Sequence, residues 1–188
     1  MAQYAYEEES RYELIGGEER MMTQPAPNHN IIASSLHRII GNYLHGKKKC
    51  KLMGEVDIFF DADNHFIPDL VVVCDKKKIH PNGIYGAPDL VVEILSPSTA
   101  RYDRYTKKDI YEKFGVREYW LVNPKDKSIE VYHLTDGRFQ PDDIYHAYDE
   151  IEWSMLTEKE KAREKLKLKV SLYDDLEVDV AEVFEDMV

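Results

Sequence analysis

Apolar residues fall into short runs separated by turn residues, and the period of each run predicts an element. In RYELIGGEERMMTQ, two β-like runs flank Gly16-Gly17, a dipeptide suited to positive φ, so the pattern predicts an N-terminal hairpin. PAPN then opens a helix with Asn28 as the expected N-cap. Ile32, Leu36, Ile39, Ile40 and Tyr43 share one stripe of it, and it ends near Gly46. KLMGEVDIFFD and HFIPDLVVVCD read as two antiparallel strands joined at Asp61 to Asn64, KKKIHPNGIYGA as a loop, and PDLVVEILS as a third core strand. A second helix is expected from about Asp103 to Phe114, closed by Gly115 as its C′ residue. EYWLVNP and SIEVYHL supply two more strands.

Beyond about Asp142 the pattern weakens. TEKEKAREKLK predicts a solvated helix, LKVSL a short strand and DDLEVDVAEVFEDM an acidic amphipathic end. The order predicts an α/β fold on a mixed central β-sheet flanked by helices, with an N-terminal β-hairpin. One domain over 1–188 is expected, with a core of about 11–135 and a C-terminal extension of about 142–188.

Composition narrows the class. The 188 residues are 43% apolar and 32% charged, as in a globular protein. No apolar run approaches the roughly 20 residues of a membrane span, and MAQYAYEEES lacks the features of a secretory signal. Cys50 and Cys74 have no metal-ligand spacing, so two inert thiols in a reducing cytoplasm are expected. The net charge of -11 argues against an indiscriminate polyanion binder, although basic clusters stand at Lys47 to Lys51, Lys76 to Lys78 and Arg101 to Lys108.

Two acids interrupt the apolar strands. Asp69 opens IPDLVVV and Glu93 sits within LVVEILS, where a carboxylate is costly to desolvate without compensation. Alternation puts Val91, Glu93 and Leu95 on one face of their strand and Val92 and Ile94 on the other. If the two strands are neighbours, Asp69 and Glu93 converge, and a hard divalent cation relieves their repulsion. On the second helix Asp103, Lys107, Ile110, Tyr111 and Phe114 form one stripe, so Lys107 faces the core and Glu93 is its economical partner; Lys108 points outward towards Glu112. Simpler readings stand beside these. Pro68-Asp69 opens a strand, Glu93 makes a structural ion pair, and Lys107 snorkels to solvent.

IPDLVVV, APDLVVEILSPST, the trio Asp103, Lys107 and Tyr111, and GVREYWLVNP together resemble the Uma-type restriction endonucleases of the PD-(D/E)xK nuclease superfamily, over about Arg11 to Leu134. The resemblance implies a restriction-endonuclease-like core, a Mg²⁺-dependent endonuclease acting on DNA (with Mn²⁺ as a substitute), and a homodimer. It assigns Asp69 and Glu93 as catalytic metal ligands, with the Ile94 carbonyl as a further ligand. Leu95 occupies the position where the superfamily carries lysine; the resemblance moves that role to Lys107 on the helix.

His29 and Asp103 are auxiliary candidates, with a core or capping histidine and a helix N-cap as their bland alternatives. Glu13 is expected at the rim. Asp57 reads as an edge carboxylate and Trp120 and Tyr119 as core. The competing functions are a catalytically inactive nucleic-acid-binding or regulatory protein on the same fold, and an assembly module using the acidic C-terminal segment.

Overall fold

A computed structural model of the protein describes residues 11–47 and 49–188. The acidic segment read against a secretory signal, and Lys48 of the first lysine cluster, lie outside them.

The chain opens with the hairpin β1 (Tyr12–Ile15) and β2 (Glu18–Met21), turning at Gly16-Gly17 with both glycines at positive φ. Helix α1 (Pro27–Leu44) follows. Its N-cap is Ala26 with Pro27 at the first turn, and not Asn28 as expected. The Asn28 amide instead exchanges two hydrogen bonds with the backbone of Val188.

Each of the next two expected strands divides between two sheets. KLMGEVDIFFD gives β3 (Lys51–Met53) and β4 (Ile58–Phe59), and HFIPDLVVVCD gives β5 (His65–Phe66) and β6 (Leu70–Val73). β3 and β6 pair in one sheet while β4 and β5 pair in the other, both antiparallel. The physical causes lie at the crossings. A Cβ on Gly54 would stand 2.5 Å from the His37 ring and 3.1 Å from the Asp69 carbonyl, so no side chain fits there. Glu55 takes φ 47°, and Pro68 has no N–H with which to continue a ladder.

The expected loop folds into a second hairpin, β7 (Ile79–His80) and β8 (Gly83–Tyr85). β9 (Leu90–Ile94) is followed by a π-helical turn (Tyr102–Lys107) that runs into α2 (Lys108–Phe114), which Gly115 ends at φ 86° as expected. β10 (Glu118–Asn123), β11 (Ser128–Thr135) and β12 (Arg138–His146) complete a meander. The C-terminal region holds the short helices α3 (Glu150–Met155) and α4 (Glu158–Lys161), the pair β13 (Lys167–Lys169) and β14 (Glu177–Asp179), and α5 (Val180–Phe184).

The main sheet is mixed, in the order β12-β11-β10-β9-β6-β3 with only β9–β10 parallel. The smaller sheet runs β2-β1-β5-β4-β8-β7. Ile32, Leu36 and Ile40 of α1 pack on the main-sheet face carrying Val92, Ile94, Trp120 and Val122. Val71, Val91, Leu95, Tyr119 and Leu121 on the other face pack against Tyr111 of α2 and Phe66 and Ile84 of the smaller sheet. The alternation expected for β9 is therefore observed.

The acidic C-terminal segment is built into this core. Val178, Val180, Val183 and Phe184 join the α1 cluster almost wholly buried, each such side chain contributing about 1.5–3 kcal/mol. Its apolar face is thus spent within the chain, while Glu185 and Asp186 stay exposed.

The cysteines correct another expectation. The β3–β6 register pairs Lys51 with Val73, so the next residues outward, Cys50 and Cys74, stand opposite one another and form a disulfide. They are not free thiols, and the compartment reading built on free thiols loses that support. Among the described residues, no helix is long and apolar enough to cross a membrane.

Candidate active site

β6 and β9 set the site. Their antiparallel register pairs Leu70 with Val92, so one step further Asp69 stands directly opposite Glu93. Cross-strand partners project from the same face, and both acids line one cavity of about 400 Å³. One oxygen of Asp69 is structural, because Oδ2 accepts the Ile94 N–H at 2.6 Å. Asp89, in the second Pro-Asp-Leu-Val-Val of the chain, does the same at the other end of the strand pair, accepting the Cys74 N–H at 2.7 Å. The strand-opening reading of Pro68-Asp69 is thus true of that oxygen. The other, Oδ1, lies 3.1 Å from His29 Nε2.

Glu93 is 4% exposed, and both its hydrogen bonds fall on Oε1, from Lys107 Nζ at 3.1 Å and the Tyr111 hydroxyl at 2.7 Å. Lys107 is equally buried, so it does not snorkel. Its ammonium touches Glu13 Oε1 at 2.8 Å and Asp103 Oδ1 at 3.4 Å as well as Glu93. Asp103 and Lys107, four residues apart on the π-helical turn, both face the interior. Lys108 does lie outside, but over the Tyr132 ring; Glu112 bonds Arg138 and the Phe139 N–H instead.

Glu13 is the residue the pattern undervalued. It sits 5% exposed at the centre, not at the rim, where Oε1 accepts both Lys107 Nζ and the Ile67 N–H at 3.0 Å. Alternation in YELI sends it inward beside exposed Tyr12, but its destination depends on which sheet the hairpin joins. His29 leaves the apolar stripe for Asp69, and its buried Nδ1 has no hydrogen-bond partner. Asp103 is not an N-cap; it is 1% exposed and its Oδ1 makes no hydrogen bond. Asp57 lies away from the cavity, bonded to His65 at 2.7 Å, and Trp120 and Tyr119 are core.

Five carboxylates, Glu13, Glu55, Asp69, Glu93 and Asp103, thus line one cavity with Lys107 and His29. Burial pushes the Glu93 carboxyl well above the usual range; Lys107 opposes this, and Asp103, Asp69 and Glu13 reinforce it. Asp103 is likewise raised, by burial first and against the pull of Lys107. Burial alone would lower Lys107, but the surrounding carboxylates, Glu93 first, raise it and keep the amine charged. Burial would lower His29 too, yet Asp69, with smaller contributions from Glu55 and the Ile94 backbone, holds it above its ordinary value. Glu118 shows the contrast. This fully buried acid is satisfied by the Trp120 indole N–H and by the Ser171 backbone and hydroxyl, and it lines no part of the cavity.

The residues at the cavity have the chemistry of a cation site: acidic oxygens in excess, in a setting that raises the cost of their charge. Among the described residues, no three His, Cys, Asp or Glu side chains are already arranged to hold an ion. Two carboxylates with water completing the shell is the arrangement Mg²⁺ accepts, since it dehydrates reluctantly.

Comparison with known proteins places the chain by sequence and by fold. An uncharacterized protein of Synechocystis sp., slr1290, is 30% identical over 138 residues, covering 71% of this chain and 72% of its own length. A second from the same organism, sll1609, is 24% identical over 144 residues, covering 73% and 81%. The crystal structure of a "putative nuclease belonging to DUF820" from Anabaena variabilis superposes with a TM-score of 0.72 at 20% identity, covering 94% of this chain and 91% of that one, which establishes the shared fold. The Uma2 family, described as "Putative restriction endonuclease", matches residues 1–162, and the chain belongs to that family.

Proposed function

We propose that this protein is a divalent-metal-dependent endonuclease that hydrolyses phosphodiester bonds in DNA, with Mg²⁺ as the ion and Mn²⁺ as a substitute. The observation that carries the reading is the meeting of Lys107 Nζ with Glu93, 3.1 Å away, in a cavity that Asp69 also lines. The fold-without-catalysis alternative would be favoured by a lysine remote from the acids. The residues fit a hard cation, with Asp69, Glu93 and the Ile94 carbonyl as its protein ligands. Such an ion supplies Lewis-acid polarisation of the scissile phosphate and acidifies a water.

The chain's own side chains do the rest. Lys107 stays protonated among its carboxylates and so acts as a fixed positive charge, not as a base. Its N–H groups stabilise the negative charge that develops on the phosphate oxygens. Tyr111 and Glu13 are positioning residues: the hydroxyl fixes Glu93 Oε1, and the Glu13 carboxylate holds the amine. Water adds to phosphorus and gives up a proton to solvent, the P–O bond to the leaving sugar oxygen breaks, and that oxygen takes a proton from solvent.

The test is incubation of circular single-stranded and supercoiled duplex DNA with the protein in Mg²⁺ or EDTA. Cleavage should require the ion and fall by roughly 100-fold or more in Asp69→Ala, Glu93→Gln and Lys107→Met, the scale on which loss of a preorganised charge acts. Ion-independent cleavage, or cleavage unchanged in an Asp69→Ala/Glu93→Ala double variant, would overturn the proposal.

A further inference from the structure

The path from the buried acids to solvent passes between two walls, the strand β2 with its following segment and the turn Ser96 to Thr99. Arg20 stands on this path. Its Nη2 donates to the Ser98 carbonyl at 2.8 Å, and its guanidinium lies over the Tyr102 ring, 3.4 Å from the centroid. Beyond Tyr102 the surface opens into a second cavity lined by Arg101, Tyr102, Tyr105 and Thr106, without a carboxylate. Tyr102 is 39% exposed and Tyr105 66%. These rings lie on the outer face of the same π-helical turn whose inner face carries Asp103 and Lys107.

We propose that this Arg20–Tyr102–Tyr105 surface is a base-stacking subsite that leads an unpaired strand of DNA into the acid cavity, so that the substrate of the proposed nuclease is single-stranded or locally unpaired. The inference rests on the nuclease reading and adds two observations. The first is depth. Glu93 and Lys107 are each 4% exposed beneath the two walls. A stiff duplex bends only at a cost, whereas a flexible single strand follows a narrow path between two walls more readily.

The second observation is the chemistry at the mouth. Duplex binding draws chiefly on many Lys and Arg contacts to phosphate, which suits poorly a chain of net charge -11. Exposed aromatic faces beside a few preorganised arginines hold unpaired bases by stacking, independently of sequence. Arg20 borders the acid cavity, and Arg101 lines the second cavity together with Tyr105. Arg104 and Lys108 are turned to Glu130 and the Tyr132 ring, away from the acid cavity, whereas the contacts of Arg20 with Ser98 and Tyr102 hold it at the mouth.

The experiment measures anisotropy of fluorescein-labelled oligothymidylate, and of a duplex of equal length, with the full chain in EDTA. The single strand should bind about tenfold more tightly than the duplex. Tyr105→Ala should weaken it by about tenfold, the scale of one lost stack, whereas Tyr105→Phe retains the ring and should bind as the parent. Equal binding of duplex and single strand, or Tyr105→Ala within about twofold of the parent, would overturn the subsite. The two readings separate cleanly. Tyr105-dependent binding with no cleavage of any DNA in Mg²⁺ would leave the subsite standing and remove the nuclease. Duplex cleaved as fast as single strand, by the parent and Tyr105→Ala alike, would do the reverse.

Discussion

Replacing Lys107 by methionine keeps the stem and removes the ammonium shared by Glu13, Glu93 and Asp103, contacted at 2.8, 3.1 and 3.4 Å. Breaking a buried ion pair by deleting one partner costs about 3–5 kcal/mol, because the remaining charge is left uncompensated. That charge has an escape, which is to bind a proton. Lys107 is the main influence opposing the upward shift of Glu93, so without it the carboxyl rises further. The folded variant then holds a proton that the unfolded chain, with its ordinary carboxylate, has released. More protons bound in the folded state means that stability falls as pH rises, by up to about 1.4 kcal/mol per pH unit for each proton. Urea unfolding at pH 5, 6.5 and 8 measures this. The expected penalty is about 3–5 kcal/mol at pH 8 and shrinks towards pH 5. A penalty below about 1 kcal/mol and flat across that range, as for a solvated surface lysine, would refute the buried cluster.

Two further outcomes follow from neighbouring groups. The His29 pKa is raised in the folded state, so its contact with Asp69 stabilises the protein fully below the unfolded value near 6.5 and loses that effect as pH rises through the folded value. His29→Gln should therefore cost about 1 kcal/mol at pH 5.5 and little at pH 9, which unfolding curves at the two pH values would show. The disulfide joins cysteines 24 residues apart. Cys50→Ser/Cys74→Ser, or reduction of the parent, should lower stability by about 3 kcal/mol in the same assay.

The parts of the site that rest on local geometry are legible in the sequence. Strand alternation puts Glu93 with Val91 and Leu95, and helical spacing turns Lys107 inward; both hold in the structure. What stays hidden depends on which distant segments become neighbours. The two divided strands look continuous in sequence because their apolar character persists across Gly54 and Pro68, where the chain changes sheets. Glu13 reaches Lys107 across 94 positions, and Cys50 meets Cys74 only through the β3–β6 register. Asn28 is a sound N-cap by residue type, but Pro27 takes the first turn and frees its amide for Val188. In each case a tertiary contact overrides or extends a local preference, and no pattern within one segment encodes it.

The central claim is that Asp69 and Glu93 share a divalent ion. Diffraction at the manganese edge from crystals soaked in MnCl₂ tests it most directly. One anomalous peak is expected between the two carboxylates, within about 2.0–2.6 Å of an oxygen of each, together with its loss in Asp69→Asn/Glu93→Gln. A cavity without a peak at saturating manganese, or an ion bound elsewhere while Lys107 keeps both Glu13 and Glu93, would contradict it.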